Sequence, residues 1–109
     1  MKELKNGNQI IGVKASPLAL LFYKQEFKSD LLMDMNSMKS GQKVNFDSIV
    51  IYQIAWALNR CYMLPKKISP FETWLGDFEA IDPEFFSGVA EEAQNLFVKD
   101  KPGPAPKKK

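Results

Sequence analysis

The chain of 109 residues contains no histidine and a single cysteine, Cys61. Without an imidazole to act as general base, serine–histidine and cysteine–histidine catalysis are excluded. With one sulfur ligand and no histidine, a structural zinc site is nearly excluded as well. A lone thiol rules out an intrachain disulfide and fits a reducing compartment. Long apolar runs are also missing. The longest charge-free one, Ser48–Asn59, is closed by Asp47 and Arg60. It is well short of the roughly 20 residues that span a bilayer. Met1–Asn8 has no apolar segment of signal-peptide type, and no glycine-rich phosphate loop occurs anywhere. The expectation is a soluble, intracellular protein that is not an enzyme and has no cofactor, metal or membrane partner.

What is present is an ordinary globular balance, 45% hydrophobic and 26% charged. This length favours one small domain. We place that domain at 1–98 and a Pro/Lys tail, expected to be disordered, at 99–109. The net charge of +2 is unevenly placed. Residues 99–109 hold five lysines against one aspartate, which leaves −2 for the body. The basic pI therefore belongs to the tail and is poor evidence for a nucleic-acid-binding body. Pro102, Pro104 and Pro106 alternate, so the PxxP spacing of polyproline ligands is absent.

The order of elements predicts an α+β domain, mostly α-helical, with a short N-terminal β-hairpin packed with about four helices. Asn6-Gly7 suits a type I′ turn between Met1–Lys5 and Asn8–Ala15. Ile11 and Val13 would share one face of the hairpin, with Ile10 and Gly12 on the other. Ser16-Pro17 starts a helix over 17–35, whose apolar positions include Leu20, Leu21, Phe27, Leu31 and Met35. A polar loop, 36–45, follows. Asn45 or Asp47 caps a helix over 46–63 that is apolar around most of its circumference, as a central helix or a partner-covered one must be. Pro65 ends it. Ser69-Pro70-Phe71-Glu72 reads as a capping box opening a helix over 70–79. Asp82-Pro83 opens another over 83–98, with Phe86, Val89, Ala90, Ala93 and Phe97 along one side. Ile54, Leu58, Leu21 and Leu75 are the expected core.

Glu72, Asp77, Glu79, Asp82 and Glu84 crowd a window, 69–84, that has no lysine or arginine. A metal or acid–base site is the sharp interpretation. Capping and helix-dipole complementation explain the positions better, because no conventional ligand spacing accompanies them. An acidic surface facing a basic partner lies between these two. Trp56, Phe71, Trp74 and Phe78 fit a core by spacing, yet so small a body cannot easily bury all its aromatics, and aromatics concentrate binding energy at interfaces. Cys61, on an apolar helix, reads as buried and structural.

Two segments carry a family likeness: Ile54-Ala55-Trp56-Ala57, and Pro70-Phe71-Glu72-x-Trp74-Leu75-x-x-Phe78. Together with a strand entering a lysine- and glutamate-bearing helix (Ile10–Met35), they make residues 9–98 resemble the tail assembly chaperones of long-tailed bacteriophages. The resemblance implies a non-catalytic chaperone that binds the tape measure protein and helps bring tail tube protein to it. It implies self-association as several copies along one chain, residence in the host bacterial cytoplasm and absence from the mature virion. On that basis the partner-binding residues are expected to be Trp56, Phe71, Trp74, Leu75, Phe78 and Glu79. The alternative is a small helical regulatory or nucleic-acid-binding protein that uses its basic C-terminal tail. Against it, the helices at 46–63 and 70–79 share one basic residue, Arg60.

Overall fold

Asn6-Gly7 does reverse the chain, but one residue later than the turn chemistry suggests. The computed structural model describes residues 2–39 and 47–97; positions 40–45 of the expected loop and the tail at 99–109 lie outside them. Strand β1 (Lys2–Asn6) pairs antiparallel with β2 (Gln9–Val13), with Asn6 opposite Gln9. The turn residues are therefore Gly7 and Asn8, and of these only Gly7 has a positive φ, 64°. Glycine at the first turn position marks a type II′ turn rather than type I′. The shift frees Asn6 for the interior. Its side chain is buried, donates to the Ala80 carbonyl at 2.7 Å and accepts from the Tyr52 hydroxyl at 3.1 Å. Sequence pattern treats asparagine beside glycine as a turn residue, whereas here its amide holds two distant segments together.

The expected long first helix is broken in two. Helix α1 (Leu18–Phe27) ends where Lys28 turns left-handed, φ 56°, with its N–H on the Lys24 carbonyl at 2.9 Å. Helix α2 (Leu31–Lys39) then starts under an Asp30 cap, which accepts from the Met33 N–H at 3.1 Å. Ser29 donates to the Asp34 carboxylate and fastens the corner. Lys28, Ser29 and Asp30 thus punctuate the helix instead of forming its polar stripe. The break changes which residues go inside. Phe22 and Tyr23 are buried, whereas Leu21, expected in the core, is 50% exposed. At the start of α1, Ser16 Oγ accepts from the Leu18 N–H at 3.2 Å, while Pro17, expected as the first helical residue, stands at the cap position itself.

Helix α3 (Ser48–Met63) is the central element. The Asp47 carboxylate caps it by accepting from the Ile49 and Val50 amides. The residue before Pro65 is pushed out of helical geometry, and Leu64 accordingly takes ψ 143° as the helix ends. Between these ends Ile54, Ala55, Trp56, Ala57, Leu58 and Cys61 are all buried. Helix α1, β2 and a later helix, α5 (Pro83–Ala93), surround it.

Helix α4 (Phe71–Gly76) is shorter than expected, and no capping box forms. The Phe71 N–H is instead capped from across the fold by Glu26 of α1 at 2.8 Å. Helix α5 (Pro83–Ala93) keeps the expected cap, Asp82 on the Glu84 N–H at 3.0 Å, and runs into a 3₁₀ turn at Gln94–Leu96. Its buried side differs from the expected stripe. Phe85, Val89, Glu92 and Ala93 point inward, Phe86 is half-buried, and Ala90 and Phe97 are exposed.

The hairpin is held on both faces. Its inner residues Leu4, Ile11 and Val13 join the core, and a Cβ on Gly88 of α5 would sit 2.6 Å from Leu4. On the outer face the Tyr62 ring lies where a Gly12 Cβ would be, and its hydroxyl donates to Glu3 at 2.9 Å. The described residues form an α+β fold, mostly helical, with one two-stranded sheet.

Candidate functional site

The aromatic residues of the Pro70–Phe78 segment form part of a continuous line of ring contacts. It runs from Tyr23 and Phe27 through Phe71, Trp74 and Phe78 to Tyr52 and Phe85, with neighbouring ring centroids 4.8–6.1 Å apart. Most of these pairs are tilted or edge-on, arrangements that favour the ring quadrupoles.

The six residues expected to bind a partner divide along this line. Trp56 is 1% exposed and donates its indole N–H to the Ser69 carbonyl at 2.9 Å. Trp74 is 8% exposed and donates to Asn59 Oδ1 at 3.1 Å. Both are interior residues with satisfied polar ends. Phe71 is half-buried between Phe27 and Trp74. Leu75, Phe78 and Glu79 remain, and these three come together at the surface.

They line a groove of about 270 Å³ with Ser48, Ile49, Tyr52, Ala80 and Ile81. One lip is the first turn of α3, where Ile49 is 48% exposed. The other is the Asp77–Asp82 turn between α4 and α5, where Ile81 is 67% exposed. Tyr52 and Phe78, 5.4 Å apart between ring centroids, lie between the lips.

This second lip has no regular secondary structure, so its shape depends on other contacts. The hairpin supplies them. Asn6 donates to the Ala80 carbonyl, the Gly7 N–H to Asp82 Oδ2 at 3.0 Å, and Gln9 Nε2 to the Asp77 carbonyl at 3.1 Å. The β-turn therefore braces one wall of the groove.

Sequence reasoning missed Tyr52 and Ile81. Ile81 did carry a signal. It precedes the helix cap Asp82, where an apolar residue often packs back on the fourth helical position, here Phe86. Its high exposure leaves that staple largely unmade.

Among the described residues no group of three cysteine, aspartate or glutamate side chains is placed to hold a metal ion. Burial pushes the Cys61 thiol up, outweighing the nearby Lys14 and Arg60, so the thiolate is scarce. Burial also raises the Tyr23 hydroxyl, helped by its hydrogen bond to Asp34 at 2.7 Å. Arg60 stacks over Phe22, 4.1 Å from the ring centroid, instead of reaching outward. No described helix is long and apolar enough to cross a membrane.

No family model, no curated protein and no solved structure matches this chain.

Proposed function

We propose that this protein is a non-catalytic phage tail assembly chaperone that binds its tape measure protein in the bacterial cytoplasm. The observation that carries the reading is the apolar groove at Ile49, Leu75, Phe78 and Ile81. A tape measure protein exposes long apolar helical surfaces before assembly, and helix-in-groove binding is the mode that covers them. The resemblance across residues 9–98 supplies the identity of the partner, and two residues of the groove, Leu75 and Phe78, belong to the most specific part of that resemblance. Several copies along one chain would add avidity to a weak single contact. Recruitment of tail tube subunits and self-association belong to the same proposal.

The direct test is co-expression with the cognate tape measure protein, followed by pull-down and measurement of its soluble fraction. A recovered complex and increased solubility are expected. A tape measure protein that stays equally insoluble with and without this chain, and no complex, would overturn the reading.

A further inference from the structure

We infer that the groove between α3 and the Asp77–Asp82 turn takes a partner helix whose apolar face is flanked by lysine or arginine. This deepens the chaperone proposal and rests on it for the existence of a helical partner.

The size of the groove sets the first constraint. A cavity of roughly 150 Å³ accommodates a benzene-sized group. The groove, at about 270 Å³, therefore takes one or two bulky apolar side chains and no more. Two such anchors on one helix face are spaced three or four residues apart, with Cβ atoms about 5–6 Å from each other. An extended peptide fits less well. Extended partners gain affinity by main-chain pairing with a sheet edge, and no strand residue lines this groove.

Charge sets the second constraint. Glu79 lines the groove, and the stretches that carry its lips and the first turn of α5, 47–52 and 77–84, also contain Asp47, Asp77, Asp82 and Glu84 and no lysine or arginine. Asp47 and Asp82 spend carboxylate oxygens on backbone amides. Among the described residues none of the five forms an ion pair with a lysine or arginine. An apolar anchor arriving here meets the Glu79 carboxylate, with further carboxylates on the neighbouring turns, and flanking cations on the partner complement them.

The test uses two synthetic helical peptides, one with leucine and lysine at amphipathic spacing and one with glutamate in place of lysine. Fluorescence anisotropy would measure binding to the full chain and to Ile81→Ser, Glu79→Lys and Met33→Ser. Met33 is also an exposed apolar residue, but it lies on α2 beside a different surface depression. We expect the leucine–lysine peptide to bind, more weakly as salt is raised. Ile81→Ser should weaken it about tenfold and Glu79→Lys roughly threefold, whereas Met33→Ser should leave it unchanged. All three variants should melt with the parent protein.

Absence of binding, equal binding of the leucine–glutamate peptide, or loss at Met33→Ser and not at Ile81→Ser overturns the inference. The broader proposal fails separately. Peptide binding at the groove with no capture of the tape measure protein removes only the chaperone reading. Capture that survives Ile81→Ser and Glu79→Lys undiminished removes only the groove.

Discussion

The first turn of α3 and the stretch that follows it are both largely apolar, but their surroundings are opposite. Toward the C-terminus, Ile54–Asn59 are buried without interruption, and the polar groups among them are paired. Asn59 donates to the Gly12 carbonyl at 2.7 Å and accepts from the Trp74 indole, joining β2, α3 and α4 through one side chain. Toward the N-terminus, Ile49 is half out of the protein, and the groove opens beside it. Hydrophobicity alone does not separate a core from a binding surface. What separates them here is whether another element covers the side chain and whether its polar neighbours find partners.

If the comparison is right, the largest effect on stability comes from the covered end. Leu58 is fully buried, and replacing such a leucine by alanine leaves a cavity that costs about 2–5 kcal/mol. For a domain of this size each kcal/mol moves the melting temperature by about 4–8 °C. Leu58→Ala should therefore lower it by at least roughly 8 °C in thermal denaturation. An unchanged melting temperature would remove the central placement of α3.

Asn59→Leu should come next. It strands the Trp74 N–H and the Gly12 carbonyl in the interior, and each orphaned buried group costs about 1–3 kcal/mol. The apolar burial that leucine adds offsets part of the summed cost, so chemical denaturation should show a net loss of about 1–3 kcal/mol. A neutral result would mean that Asn59 is not the junction of the three elements.

A pH effect should follow from Glu92, which is 2% exposed at the far end of α5 from the groove. Burial acts to raise its carboxyl pKa, but the Ala15 N–H at 3.0 Å and Asn95 at 3.2 Å help hold the pKa below its usual 4.5. A carboxylate held low in the folded state stabilises it above the unfolded pKa, and that contribution disappears as pH falls through the folded value. The stability difference between the parent and Glu92→Gln should thus be full near neutrality and shrink below about pH 4.5. A difference that stays constant across this range would show that the charge on Glu92 plays no part. The exposed Lys2–Glu91 pair, 2.8 Å apart, should contribute little to the same profile.

The contrast between the two ends of α3 also marks what could be read from sequence. The hairpin, the central helix and the Asp47 and Asp82–Pro83 caps were legible, because each depends on neighbours within a few residues. The α1–α2 break, though its contacts are local, was hidden because Lys28 and Asp30 also fit the polar side of one long helix, and the turn register and the start of α4 were not legible at all. Asn6 is drawn inward by Tyr52 and Ala80, and Phe71 is capped by Glu26, partners 45 to 74 residues away. The groove was half legible. Leu75, Phe78 and Glu79 stood out in their motif, but Trp56 and Trp74 stood out equally, and spacing does not tell an indole that finds a buried acceptor from one that faces water. Ile49, Tyr52 and Ile81 join the groove only through the tertiary fold.

The smallest expected effect on stability is at the open end. Ile81 gives up most of its side chain to solvent and makes no hydrogen bond through it, so Ile81→Ser removes little buried area. Surface changes of this kind usually stay within about 0.5 kcal/mol. The backbone groups that shape the lip belong to Asp77 and Ala80, whose carbonyls accept from Gln9 and Asn6, and the substitution touches neither. Ile81→Ser should therefore melt with the parent protein while losing capture of the tape measure protein in a pull-down. Leu58→Ala should do the reverse at low temperature, binding in proportion to its folded fraction. A melting temperature lowered as far by Ile81→Ser as by Leu58→Ala would erase the distinction between the two ends, because the groove would then be core that the fold leaves partly open, not a surface kept for a partner.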